Sequence, residues 1–136
     1  PALMTSIEHK SGTDRLNEVA NVLNWNSDGF IINVQGDEPL IPSKLINSIA
    51  EFTLEHPEFD ITTAVTKINS IESFCNSNVV KAIIGGNNQA LYFTRAPAPY
   101  NRDDSKCFEA GKRHIGIYVY KVSSLKRFCW FENWCI

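Results

Sequence analysis

Phe30-Ile31-Ile32-Asn33-Val34 runs straight into Gln35-Gly36-Asp37-Glu38-Pro39, and this junction decides the fold. The first run is short, apolar and β-branched, which predicts a buried strand over 30–34. The second is dense in turn formers and predicts a sharp end to that strand. Pro42 then suits the first turn of a helix, which Leu45, Ile46, Ile49 and Ala50 continue until His56-Pro57. Upstream, Ser11 followed three residues later by Asp14 reads as a capping box. Leu16, Val19, Ala20 and Leu23 recur at helical spacing, predicting a helix from near Thr13 to Asn24. Helix and strand alternating in this way predict an α/β sheet with parallel crossovers.

Further along, 60–68 reads as a strand and 70–74 as a short helix. Strands over 79–84 and 90–94 flank Gly85-Gly86-Asn87-Asn88, strong hairpin chemistry that makes the expected sheet a mixed one. Residues 96–104, with two prolines and three charges, predict a loop. Residues 114–121 alternate as a strand does, and 123–131 predict a last helix with Leu125, Phe128 and Cys129 on one face.

The 136 residues suit one ordinary domain, and 43% hydrophobic against 21% charged residues excludes the disordered and collagen-like classes. Thirteen Lys and Arg against fifteen Asp and Glu leave a formal charge of −2. A nucleic-acid binder would need a basic field to neutralise phosphates, so nucleic acid is not expected as a partner. No apolar run approaches the ~20 residues of a membrane span, so no membrane insertion is expected. Cys75, Cys107, Cys129 and Cys135 are widely spaced with no metal-ligand pattern, as reduced cysteines of a cytoplasmic protein would be. Pro1 at the start and Cys135-Ile136 in an aromatic stretch at the end read as cut ends, as of the interior of a longer protein.

Three segments carry chemistry. In open α/β sheets ligands bind at the carboxyl ends of strands, where Gly36 would let the chain turn tightly and Asp37 could offer an oxygen to Mg²⁺. On the residues alone, the reading of Asp37-Glu38-Pro39 as a solvated turn is the stronger. Ser11, Gly12 and Thr13 at a helix start offer N–H groups to an anion, with Arg15 as a forked donor nearby. An ordinary capped helix with a surface arginine fits them equally well. Arg95 follows a strand and borders the loop Ala96-Pro97-Ala98-Pro99-Tyr100, which suits a pocket wall; such an arginine is more often a surface charge. His114, alone, is more often a satisfied hydrogen-bonding residue than a catalyst.

Four motifs occur in order: His9-x-Ser11-Gly12-Thr13-Asp14-Arg15, the run from Asn33 to Pro42, Ala90-Leu91-Tyr92-Phe93-Thr94-Arg95-Ala96, and Arg113-His114-x-Gly116-Ile117-Tyr118. Together they resemble the 3-deoxy-manno-octulosonate cytidylyltransferases (CMP-Kdo synthetases) over nearly the whole chain. The resemblance implies a three-layer α/β/α mixed sheet of the nucleotide-diphospho-sugar transferase type. It also makes residues 1–136 the central, incomplete part of a single cytidylyltransferase domain. The implied reaction is CTP plus Kdo giving CMP-Kdo and pyrophosphate, for lipopolysaccharide synthesis. Ser11, Gly12, Thr13 and Arg15 match nucleotide-side residues. Asp37 matches a Mg²⁺-binding aspartate with Gln35 beside the ligands, and Arg95 and His114 match residues lining the sugar-acid pocket. Asn78 and Lys81 fall in an Asn-x-Val-Lys strand, with Ser77 where proline is usual. The family's habit implies a homodimer. The family's N-terminal phosphate-holding loop and its C-terminal segment with a second Mg²⁺ aspartate are absent. The 136 residues alone are therefore expected to be inactive, and a related sugar acid or a non-catalytic binding role are the alternatives.

Overall fold

The computed structural model describes residues 2–36, 40–104 and 107–130. Its elements are α1 (Gly12–Val22), β1 (Phe30–Val34), α2 (Ser43–Glu55), β2 (Ile61–Lys67), α3 (Ile71–Cys75), β3 (Lys81–Ile84), β4 (Ala90–Thr94), β5 (Lys112–Lys121) and α4 (Val122–Trp130). The mixed α/β class expected from the alternation holds. The chain divides into two compact units, 1–62 with 117–136, and 63–116; β2 and β5 run through the division.

In the first unit β1 lies antiparallel to the second half of β5, with Ile31 opposite Tyr120 and Val34 opposite Ile117. The expected parallel crossovers do not appear among the pairings with a defined register, all of which are antiparallel. Local alternation states which elements form but not which strands pair, and β1 takes its partner from the far end of the chain. Ala20, Ile31, Tyr120, Val122 and Leu125 form the core, with Leu16, Trp25, Tyr118 and Cys129 packed against it. Helix α4 starts without a gap after β5, so its first amides need acceptors from elsewhere. Val122 N–H donates to the Gly29 carbonyl (2.9 Å) and Ser123 N–H to that of Ser27 (3.0 Å). Asp60 completes the joint: its carboxylate accepts from Ser124 Oγ at 2.6 Å and from Arg127 at 2.9 Å. An acid at a helix start is favoured by the backbone dipole as well.

In the second unit β3 and β4 form the expected antiparallel hairpin, with an irregularity at Ile83/Ile84. Gly85 N–H donates to the Gln89 carbonyl at 2.8 Å, and Asn88 takes the left-handed conformation (φ 57°) that a tight turn asks of one residue. Lys81 of β3 stands opposite Arg113 of β5. Ile68, Phe74 and Ala82 are buried. Cys75, Cys107 and Cys129 are free thiols, as expected; Cys135 lies outside the described residues.

Gly111 is where this packing leaves no room. A Cβ there would come 2.9 Å from the Phe108 carbonyl oxygen, 3.0 Å from the Phe74 ring and 3.1 Å from Ile68 Cδ1. One of these contacts is backbone, so the turn itself must shift. Gly111→Ala should therefore destabilise the protein by about 1–3 kcal/mol. Urea unfolding followed by circular dichroism measures it; an unchanged midpoint would show that the turn gives way freely.

Candidate functional site

The N-terminus of α1 and the carboxyl end of β1 open onto one cleft. Ser11 caps α1 as its spacing with Asp14 predicted. Ser11 Oγ accepts from Asp14 N–H at 3.1 Å, and Asp14 Oδ2 accepts from Ser11 N–H at 3.0 Å and from Ser11 Oγ at 2.7 Å. The cap occupies both side chains. The N–H groups of Gly12 and Thr13, which precede the first intrahelical bonds, are not used by the helix. They stand at the positive end of the backbone dipole, where an anion is favoured.

The segment before α1 is fastened to its outer face by two side chains one turn apart. Arg15 Nη1 donates to Thr5 Oγ1 and to the Ser6 carbonyl, each at 2.9 Å. Glu18 Oε2 accepts from Ser6 N–H at 3.0 Å and also bonds His9 Nε2. The Ser6 amide first, then His9, hold the Glu18 carboxyl below the ordinary carboxylate range. Beneath the helix start, the Thr13 side chain bonds the Tyr120 phenol and the Thr13 carbonyl lies 3.7 Å from Cys129 Sγ. Burial pushes both that phenol and that thiol up.

The cleft measures about 680 Å³ and is lined by Ser11, Gly12, Thr13 and Arg15 from α1 and by Asn33, Gln35 and Gly36 from β1 and its end. This is the size of a small-molecule site. Five residues singled out in the sequence, Ser11, Gly12, Thr13, Arg15 and Gln35, meet in this one place. Gly36 stands in a turn, as expected, with a φ that is not positive. Among the described residues, a Cβ on Gly36 or Gly12 would meet nothing within 4 Å. Asp37, with Glu38 and Pro39, lies outside the described residues. Among those described, no group of three or more Asp, Glu, His or Cys side chains could hold a metal ion. Asn33 and Gln35 bring neutral side-chain oxygens to the lining, whereas Mg²⁺ asks for one or two carboxylates among water and phosphate oxygens. No carboxylate is among the described residues that line it.

Arg95 and His114 belong to the second unit. Arg95, at the end of β4, is exposed and donates from Nη1 to the Ser77 carbonyl at 2.9 Å. His114 on β5 is half-buried. Its Nε2 lies 2.8 Å from Thr63 Oγ1, and its ring is tilted 56° against Phe93 at 4.7 Å. Burial lowers its pKa, which favours the neutral imidazole. Lys81 is fully buried on β3. A lone charge in the run Val79-Val80-Lys81-Ala82-Ile83-Ile84 was the only sign of this in the sequence.

The profile of the cytidylyltransferase family matches residues 1–133. A 3-deoxy-manno-octulosonate cytidylyltransferase of Polynucleobacter asymbioticus is 45% identical over 127 residues, 93% of this chain and 50% of the relative. Its counterpart in Acinetobacter baumannii (strain AYE) is 40% identical over 135 residues, 96% of this chain and 53% of the relative. A solved structure of CMP:2-keto-3-deoxy-manno-octonic acid synthetase complexed with CTP superposes with a TM-score of 0.84. It is 32% identical, covering 97% of this chain and 52% of that one. The chain thus spans about half the length of the curated relatives it matches. With four motifs in order, a matching profile over nearly every residue and the same fold, the chain belongs to the cytidylyltransferase family.

Proposed function

We propose that the protein transfers CMP from CTP to 3-deoxy-manno-octulosonate (Kdo), releasing pyrophosphate and forming CMP-Kdo, an activated sugar acid for lipopolysaccharide assembly. The observation that carries this reading is the single cleft in which the α1 start and the Gln35-Gly36 strand end converge, in a chain similar to relatives of that name. The nucleotide enters this cleft with its anionic groups toward the Gly12 and Thr13 amides. Arg15, already fastened to the 5–6 segment, holds the helix start and adds positive charge. Pyrophosphate release from CTP, assayed with Kdo, its eight-amino analogue and a sialic acid in turn, tests the reaction. Preference for either of the latter two would replace Kdo as the acceptor.

In this reaction the anomeric hydroxyl of the sugar acid attacks the α-phosphorus in line, its proton is lost, and pyrophosphate leaves. No covalent intermediate on the protein is needed, so the contribution of the chain is placement and charge. Asp37 is the proposed ligand of Mg²⁺, beside Gln35. When bound, the ion lowers the pKa of the attacking hydroxyl and neutralises charge on the α-phosphate. Arg95 is proposed to take the sugar carboxylate. Its bond to Ser77 uses only Nη1, and a planar fork suits a carboxylate better than an ammonium does. His114, with its neutral form favoured, is proposed as a neighbouring hydrogen-bond partner of the sugar.

Two outcomes follow for a full-length protein carrying these residues. Gly36→Ala should change folding stability by no more than about 0.5 kcal/mol, because among the described residues the added methyl meets nothing within 4 Å. It should nonetheless weaken CTP binding about tenfold or more, because that space is the nucleotide's. Calorimetric titration and thermal unfolding together check this; unchanged CTP affinity would remove the nucleotide from that end of the cleft. Arg95→Ala should cost about 2–5 kcal/mol, roughly thirty-fold to a few thousand-fold, in Kdo dependence and little in CTP dependence. Arg95→Lys should already be harmful and His114→Ala milder. Steady-state kinetics with each substrate varied at saturating levels of the other decide it. Unaltered Kdo dependence in Arg95→Ala would make Arg95 a surface charge.

A further inference from the structure

We propose that Lys81 is a positioning residue for Arg95, and through it for recognition of the sugar-acid carboxylate. This inference rests on the reading of Arg95 given above. Lys81 is fully buried, yet its described hydrogen-bond partners are all backbone carbonyls. Its three ammonium donors are matched by three acceptors: the carbonyls of Asn76 at 2.9 Å, Val79 at 2.6 Å and Arg95 at 2.7 Å. An ammonium has no further donors, so the set is complete. Two of these acceptors flank Ser77, and the Ser77 carbonyl takes the Arg95 guanidinium. The 76–79 turn thus presents its carbonyls to two cations, the ammonium holding the main chain at Arg95 and the guanidinium resting on the turn between.

A buried lysine is costly for a fold, and hydrophobic residues of similar volume are often no less stable. Here the ammonium joins the end of β4 to the turn after α3, which fixes the point from which the Arg95 side chain starts. Burial lowers the Lys81 pKa, the Arg95 charge adds to this, and Cys75 opposes it. Without the ammonium, three carbonyls lose their donor and the guanidinium becomes the turn's remaining cation. Arg95 would then be drawn to satisfy the turn rather than a carboxylate.

The test uses Lys81→Met, Lys81→Arg, Arg95→Ala and the Lys81→Met/Arg95→Ala double variant in a full-length protein. Lys81→Met should raise KM for Kdo about tenfold or more and leave kcat and KM for CTP within about twofold. Lys81→Arg keeps the charge but cannot aim a flat fork at three carbonyls around one nitrogen; it should show the same Kdo-specific defect, smaller, about threefold. The double variant should be no worse for Kdo than Arg95→Ala alone, because one residue acts through the other. Equal losses toward CTP and Kdo, additive losses in the double variant, or no loss would each overturn the proposal. So would failure of both Lys81 variants to fold, since the lysine would then serve the whole fold. Phenylglyoxal labelling of Arg95, read by mass spectrometry, separates this from failure of the underlying reading. If Arg95→Ala leaves Kdo dependence intact, the sugar-acid reading of Arg95 falls. A labelling rate changed severalfold by Lys81→Arg would still place Lys81 in control of Arg95, and an unchanged rate would remove it.

Discussion

An α-helix begins with four amide groups that its own hydrogen bonds cannot use, and the start of α1 is organised around that constraint. Ser11 and Asp14 satisfy one another's backbone amides within the first turn. That leaves the Gly12 and Thr13 amides for whatever enters the cleft. Because α1 packs through Ala20 and Leu16 on the core that also holds Ile31 of β1, the helix start and the strand end cannot drift apart independently. Arg15 and Glu18 then fasten the preceding segment to the same helix, using a cation and an anion on one chain of four residues. Cap, core and clamp act on one small region, and the cleft is what they leave open.

The second unit solves a different polar problem. Its buried cation, Lys81, is neutralised by no described carboxylate and is instead surrounded by carbonyl dipoles. Such a site is sensitive to geometry, since three bonds must be met at once. The Arg15 and Glu18 contacts of the first unit lie on a helix surface and are only partly covered, so water screens them. The two arrangements suit different tasks: a surface clamp tolerates small movement, whereas a saturated buried ammonium fixes the main chain at a point.

Local pattern made much of this readable. The β1 run 30–34, from its apolar, β-branched residues, and the β4 run 90–94, from the turn that precedes it, appear with the bounds expected. Helix α1 ends at Val22 rather than Asn24 because Asn24 turns into the left-handed region (φ 50°). Val79 and Val80 have strand propensity but lie before β3. Val79 N–H closes a turn onto the Asn76 carbonyl, and the Lys81 side chain binds the Val79 carbonyl, local demands that strand propensity does not record. Strand β5 begins at Lys112, two residues before the alternation does, because Lys81 of β3 pairs with Arg113. In the site, the approach of Ser11–Arg15 to Gln35 followed from motif order and from where ligands sit on α/β sheets. The contacts of Arg95 with Ser77, of His114 with Thr63, and of Lys81 with the Arg95 carbonyl join residues distant in sequence. Periodicity carries no trace of them.

The central claim is that a nucleotide occupies the cleft between the start of α1 and the end of β1. A crystal structure of a full-length protein carrying these residues, with CTP bound, tests it most directly. The account predicts nucleotide oxygens within hydrogen-bond distance of the Gly12 and Thr13 amides, with Gln35 and Gly36 bordering the same ligand. A nucleotide bound away from Ser11–Arg15, with these amides still facing water, would contradict it.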